Sequence, residues 1–310
     1  MTVVVFGATG FVGRNLVRRL AGEGREVLAV SRSGAIVPEA ARSLGMDDLD
    51  ALGQLPADTV VCHVAAQRYD ASRFDMAQSD ILTANVELTN RVFAFCARAG
   101  VKEVRMASSV AVYQAGLPVM DDAVPVDLAG APYPNEAFYA WSKRWAEIAA
   151  SLYRDKYGIS TVSFRLSNPY GPFDSIDTKA AHVLPAFVMR ALGPGDAFEL
   201  KGDPLVERDF IFVDDVTEIL AKSLDWRGRS DAMNLCRGET DTLYDLAKTI
   251  LALAGSDKVL KTETDFAPAA VRARRSSADQ VKSTFHVEAF TSLSDGLAPT
   301  IAWYKEQLHA

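Results

Sequence analysis

An apolar, β-branched run opens the chain, Thr2-Val3-Val4-Val5-Phe6, and it feeds without a break into Gly7-Ala8-Thr9-Gly10-Phe11-Val12-Gly13. Arg14-Asn15-Leu16-Val17-Arg18-Arg19-Leu20 follows with helical spacing of its apolar residues. Strand, glycine turn and helix in this order restrict the chain to few folds. Small residues at the turn let a backbone come close to a ligand, and the positive end of the helix that follows attracts a pyrophosphate. The spacing is Gly-x-x-Gly-x-x-Gly rather than Gly-x-Gly-x-x-Gly. Its position behind a buried strand favours a dinucleotide site over a plain β–α turn. Gly7, Thr9, Gly10, Phe11, Val12 and Gly13 are therefore candidate cofactor-binding residues.

Further along, strand and helix patterns alternate. Strands are expected at Glu26–Val30, 59–66, 102–107, Ser160–Leu166 and 209–213, and helices from Asn85 to Ala99 and from Tyr139 to about Tyr153. Such alternation predicts an α/β fold: a doubly wound parallel (Rossmann) sheet with helices on both faces. Residues 1–166 form the nucleotide-binding domain in this reading. After Asn168 the punctuation by Pro and Gly thickens, which predicts a smaller C-terminal substrate-binding lobe over 167–310, with 209–232 and part of the C-terminus returning to the first domain. With 310 residues, 49% of them hydrophobic, there is ample material for both.

The net charge of −7 argues against a nucleic-acid surface. No apolar stretch approaches the roughly 18–20 residues of a membrane span and no signal peptide precedes the first strand, so the expectation is a cytoplasmic protein. Cys62, Cys96 and Cys236 lie far apart and read as reduced, buried residues, and the four histidines lack metal-ligand spacing. No metal site is predicted.

Tyr139-Ala140-Trp141-Ser142-Lys143 carries the chemistry. Four residues make about one helical turn, so Tyr139 and Lys143 share a face. A free phenol titrates near pH 10 and is a poor base at neutrality, whereas an ammonium beside it favours the phenolate. Ser109 lies thirty residues upstream.

These motifs together resemble the extended short-chain dehydrogenase/reductases, specifically the NAD-dependent epimerase/dehydratase group that acts on nucleotide sugars. The resemblance runs through Gly7 to Gly13, His63-Val64-Ala65-Ala66, Asn85 opening a helix, Ser108-Ser109-Val110-Ala111-Val112-Tyr113 and Tyr139-x-x-x-Lys143. It continues through Arg165-Leu166-Ser167-Asn168-Pro169-Tyr170-Gly171-Pro172, Arg208 to Asp215, and a closing helix at Gly296–Tyr304. It implies that Tyr139 is the general acid/base, that Lys143 holds the nicotinamide ribose, and that Ser109 bonds the same substrate oxygen as Tyr139. Ser31, Arg32, Ser33, Val64, Ala65, Ala66, Asn85 and Ser108 join the implied cofactor set. Gln67, Asn168, Arg208 and Arg275 form the implied substrate set with Ser109, the arginines suiting a diphosphate. For Arg208 the competing reading is an ion pair with Asp209.

Three departures bear on function. Where an acidic residue would receive the ribose 2′-hydroxyl stand Ser31, Arg32 and Ser33, which suit a 2′-phosphate, so NAD and NADP both stay open. Asp47 and Asp48 could meet the adenine but read as the cap of a short helix at Leu49–Leu55. Pro268-Ala269-Ala270-Val271-Arg272-Ala273-Arg274-Arg275 replaces the Arg-Pro-Gly-Asp of the family, and one of its three arginines is a candidate second diphosphate ligand. Sugar 4,6-dehydratases of the family place Asp-Glu where this chain has Val110-Ala111, which disfavours that chemistry. An epimerase working through a 4-keto intermediate is the preferred reading. A keto-sugar reductase using NADPH or a nucleotide-sugar dehydratase, and a non-catalytic dinucleotide-binding sensor, are the alternatives. Trp141, Trp145, Ile148 and Leu152 form a second apolar stripe on the Tyr139 helix. With the largely apolar helix from Asn85, which relatives pair with it across a twofold axis, this predicts a homodimer. Substrate identity is expected to rest on loops 67–73, 114–117 and 170–176.

Overall fold

The computed structural model describes residues 1–67, 78–178, 181–263 and 272–309. Seven parallel strands build the central sheet: β1 (Thr2–Phe6), β2 (Glu26–Ser31), β3 (Arg42–Gly45), β4 (Val60–His63), β5 (Glu103–Ser109), β6 (Ser160–Leu166) and β11 (Asp231–Leu235), in the order β11-β6-β5-β4-β1-β2-β3. Strand order reverses between β1 and β4. In open α/β sheets that reversal opens a crevice at the carboxyl ends of the strands, where ligands bind. Here it falls directly behind the glycine turn.

Side-chain alternation along β1 explains the unbroken apolar run. Val3 and Val5 face one side, with α1 (Phe11–Gly22), α5 (Val213–Ser223) and α7 (Asp279–Phe285). Val4 and Phe6 face the other, with α2 (Gln78–Ala99) and α3 (Ala137–Tyr157). A strand covered on both faces has no polar positions to alternate with. Each such side chain contributes roughly 1.5–3 kcal/mol on burial.

The second core belongs to α4 (Val183–Leu192), α6 (Leu243–Ala254) and α8 (Leu293–His309), packed with the short pairs β7 (Asn168–Tyr170) with β10 (Phe210–Phe212) and β8 (Ala197–Leu200) with β13 (Val259–Thr262). Three two-residue strands complete this part: β9 (Glu207–Arg208), β12 (Asp241–Thr242) and β14 (Ala273–Arg274), with β9 between the others. Phe11, from the glycine turn, packs into this second core, and Asn15 of α1 donates to the Pro172 carbonyl at 2.9 Å. α1 therefore also forms the wall of the second lobe.

Several boundaries differ from the sequence reading. The expected strand at 209–213 is broken at Asp209. Its buried carboxylate accepts from the Ser167 hydroxyl (2.7 Å) and from the Arg237 and Gly238 N–H groups (3.0 and 2.8 Å), and Val213 already starts α5. Asp209 is thus committed to this cage, not to the ion pair considered for Arg208. The short helix expected at Leu49–Leu55 is a 3-10 turn over Met46–Leu52. Asp48 does cap it, accepting from the Gly45 N–H at 2.9 Å, whereas Asp47 turns to Arg91 at 2.8 Å. The helix expected from Asn85 is already present at Gln78, seven residues earlier. The strand expected over 59–66 stops at His63, beyond which the chain crosses the top of the glycine turn.

Candidate active site

One continuous cleft of about 1310 Å³ runs from the end of β2, over the glycine turn, to the second lobe. That exceeds the about 300–1,000 Å³ of an ordinary small-molecule pocket and suits two ligands end to end. At its centre the turn is built from backbone alone. Gly7 has φ +87°, and a Cβ there would lie 2.7 Å from the Ala65 Cα. Gly10 caps α1 without a side chain, leaving the helix N-terminus facing the cleft.

At one end Ser31, Arg32 and Ser33 line the cleft together with Met46, Asp47 and Arg91. The Ser31 hydroxyl is buried and without a hydrogen-bond partner, a polar group placed to receive a ribose. Asp47, read from sequence as a cap, lines this end of the cleft, and nothing in its local spacing separates it from Asp48. These groups, with the open helix terminus, fit NAD or NADP.

In the middle, Val64, Ala65 and Ala66 face Ser108, Ser109, Tyr139 and Lys143. α3 brings Tyr139 and Lys143 to one face as the spacing predicts, with the Lys143 Nζ 5.7 Å from the phenol ring centre. That ammonium is buried and donates to the Ala107 carbonyl of β5 at 2.8 Å. Burial pulls it down from the usual lysine range to about 8, and the Glu147 carboxylate one turn further on opposes the shift. Lys143 thus keeps its charge at neutrality. His63 is held neutral, lowered to about 3 by burial and by the charge of Lys143. The Ser109 hydroxyl accepts from the Ala111 N–H at 3.2 Å and still borders the cleft.

At the far end stand Gln67, Asn168, Arg208 and Arg274. Two residues of the sequence-derived set lie outside the cleft lining. Asn85 does not line the cleft. Its amide clips the Gln67 backbone at both N–H (2.7 Å) and C=O (3.0 Å), so it positions the 64–67 segment from behind. Arg275 faces away, bidentate on Glu207 at 2.9–3.1 Å, and it is Arg274 that borders the cleft, stacked on Tyr133 at 4.2 Å and paired with Glu136 at 2.6 Å. Glu136, Asp174 and His182 also border this end and carry no sequence motif. Residues 68–73 of the expected substrate loop and 268–271 of the basic segment lie outside the described residues. Among the described residues no cluster of His, Cys, Asp or Glu could hold a metal ion, and no helix is long and apolar enough to cross a membrane.

The sequence model of the NAD-dependent epimerase/dehydratase family matches residues 3–236. The chain is 27% identical to a dTDP-4-dehydro-6-deoxy-D-allose reductase of Streptomyces sp, over 98% of this chain and 96% of that protein. It is 26% identical to a UDP-glucose 4-epimerase of Mycolicibacterium smegmatis, over 99% of each. Among solved structures it is similar to MoeE5 in complex with UDP-glucose and NAD, with a TM-score of 0.81 and 28% identity over 99% of this chain and 100% of that one.

Proposed function

The chain belongs to the NAD-dependent epimerase/dehydratase family, and we propose that within it this protein is a 4-epimerase of a nucleotide-linked hexose. One observation carries the reading. A single cleft joins a helix N-terminus suited to a pyrophosphate, the Ser109, Tyr139 and Lys143 group, and two arginines, Arg208 and Arg274, suited to a second diphosphate.

Tyr139 takes the proton of the C4 hydroxyl, its phenolate favoured by the buried Lys143 ammonium, and the Ser109 hydroxyl bonds the same oxygen as it becomes a carbonyl. A nicotinamide, when bound, supplies reversible hydride exchange at that carbon. Arg208, Arg274 and Asn168 keep the nucleotide diphosphate anchored while the 4-keto sugar turns about its tether. Once the turned sugar presents its other face, C4 would regain the hydride from the bound nicotinamide on that face while Tyr139 returns the proton to the C4 oxygen, so the net reaction is an isomerisation. Val110 and Ala111 border the cleft where a dehydratase would need proton-carrying side chains, and aliphatic groups cannot serve.

A second reading, an NADPH-dependent reductase of a 4-keto nucleotide sugar, is favoured by Ser31, Arg32 and Ser33 at the adenine end and fits the similarity to the Streptomyces reductase. The test is to identify the dinucleotide that purifies with the protein and then to offer UDP-, dTDP- and GDP-hexoses and their 4-keto forms. Retained oxidised cofactor with interconverted C4 epimers supports the epimerase. Stoichiometric loss of NADPH absorbance on a 4-keto sugar replaces it with the reductase. A bound dinucleotide with no sugar converted leaves a sensor and ends both.

The assembly proposed with this function is a homodimer. Trp141, Ile148 and Leu152 are 41%, 39% and 54% exposed along one side of α3, while Trp145 is tied to Asn90 at 3.0 Å. Solution mass should be twice that of the chain at micromolar concentration, and Leu152→Glu should shift it toward the monomer. A wild-type monomer ends the idea.

A further inference from the structure

We propose that Glu147, locked by Arg165, is a positioning residue for this reaction, fixing Ser108 beside the cleft and standing as the carboxylate one helical turn from Lys143; this rests on the catalytic reading of the cleft given above. Glu147 does not border the cleft. Its carboxylate accepts the Ser108 hydroxyl at 2.6 Å and, side on, Arg165 through Nε (3.0 Å) and Nη2 (2.8 Å). It thereby joins three elements: α3, which carries Lys143 one turn earlier; β5, which carries Ser108 and Ser109; and β6, which carries Arg165.

Arg165 is itself fixed. It donates to the Tyr113 hydroxyl at 3.2 Å, Tyr113 donates to Asn234 at 2.9 Å, and Asn234 donates to the Met120 and Ser277 carbonyls at 2.9 and 3.1 Å. Burial would lower the Arg165 guanidinium, but Glu147 holds it above its ordinary range. The carboxylate is therefore held between a guanidinium and a serine hydroxyl, with little freedom to turn.

A buried ion pair that merely docks a helix is replaceable by apolar groups of similar volume. Two features point beyond docking. The third partner of the carboxylate is Ser108, which borders the cleft beside Ser109. And Glu147 is the carboxylate that opposes the loss of charge burial imposes on Lys143. The groups around Lys143 are neutral His63 on β4, the Ala107 carbonyl on β5, Tyr139 and Glu147 on its own helix, and Arg165 on β6 beyond Glu147. No other carboxylate in that set sustains the ammonium.

The test follows two pH profiles, kcat/KM on the sugar substrate and dinucleotide affinity measured without sugar, in wild type, Glu147→Gln, Glu147→Gln/Arg165→Gln and Glu147→Asp. The wild-type alkaline limb should lie near the Lys143 value of about 8. In Glu147→Gln it should move down by about one pH unit, by less in the double variant, and back toward wild type in Glu147→Asp. The double variant carries the test if the single change leaves Arg165 unpaired and unfolds the protein. Limbs that stay in place in folded variants overturn the proposal and leave a docking pair. If wild type converts no nucleotide sugar, the catalytic reading falls, while the affinity profile still decides the role of Glu147.

Discussion

Replacing Tyr139 with phenylalanine is expected to lower kcat by roughly 10²–10⁴-fold, the range for losing a positioned general acid/base. The change removes one oxygen and no packing. The ring stays on α3, half-buried, with the Lys143 ammonium 5.7 Å from its centre. Lys143 keeps its bond to the Ala107 carbonyl, and the glycine turn is untouched. Dinucleotide affinity and thermal stability should therefore hold close to wild type. Substrate grip should hold too, because Asn168, Arg208 and Arg274 border the other end of the cleft. A fall in kcat with KM nearly constant separates a role in the transition state from one in binding. Steady-state kinetics with a binding titration reads both, and a variant that turns over at the wild-type rate removes Tyr139 from the mechanism.

How much of this was legible in the chain depends on the range of the interaction. Tyr139 and Lys143 on one helical face is a statement about neighbours one turn apart, and the structure keeps it. The glycine turn is likewise local, and so is β6, found over Ser160–Leu166 as the spacing predicts. Arg274 and Arg275 are a different matter. Which of them reaches the cleft is set by β14 pairing in parallel with β9, Arg274 beside Arg208, so that the next residue turns to Glu207. Nothing within the basic segment encodes that register, because the partner strand is more than sixty residues away. Asp209 could not be read as a strand break for the same reason, its three donors coming from Ser167, Arg237 and Gly238. Asn85 stands out in the sequence but not as a clip on Gln67, since that contact needs the 64–67 segment to come against α2.

Gly13→Ala should be the most damaging single methyl in the nucleotide half. A Cβ at this position would lie 2.0 Å from the Gly7 carbonyl oxygen, 2.7 Å from its carbon and 3.0 Å from the Ala8 Cα. All three are backbone atoms, so no rotamer change relieves the clash. The turn cannot retreat either: Gly7 sits at φ +87°, with the Ala65 backbone 2.7 Å from where its own Cβ would be. Relief has to come from α1 lifting off the turn. That movement loosens Leu16, Val17 and Leu20 in one core and Phe11 in the other, and draws the helix N-terminus away from the cleft. Overpacking of this kind costs about 1–3 kcal/mol, occasionally more. To the extent that dinucleotide binding restores the close approach, affinity should fall by roughly five- to a hundredfold. Gly22→Ala in the last turn of the same helix is the control. Nothing lies within 4 Å of its Cβ position, and alanine there should leave affinity unchanged and stability equal or slightly higher. Paired titrations and melting curves read the difference. Wild-type affinity in a folded Gly13→Ala protein would mean that the close seating of α1 on the turn does not build the pyrophosphate site.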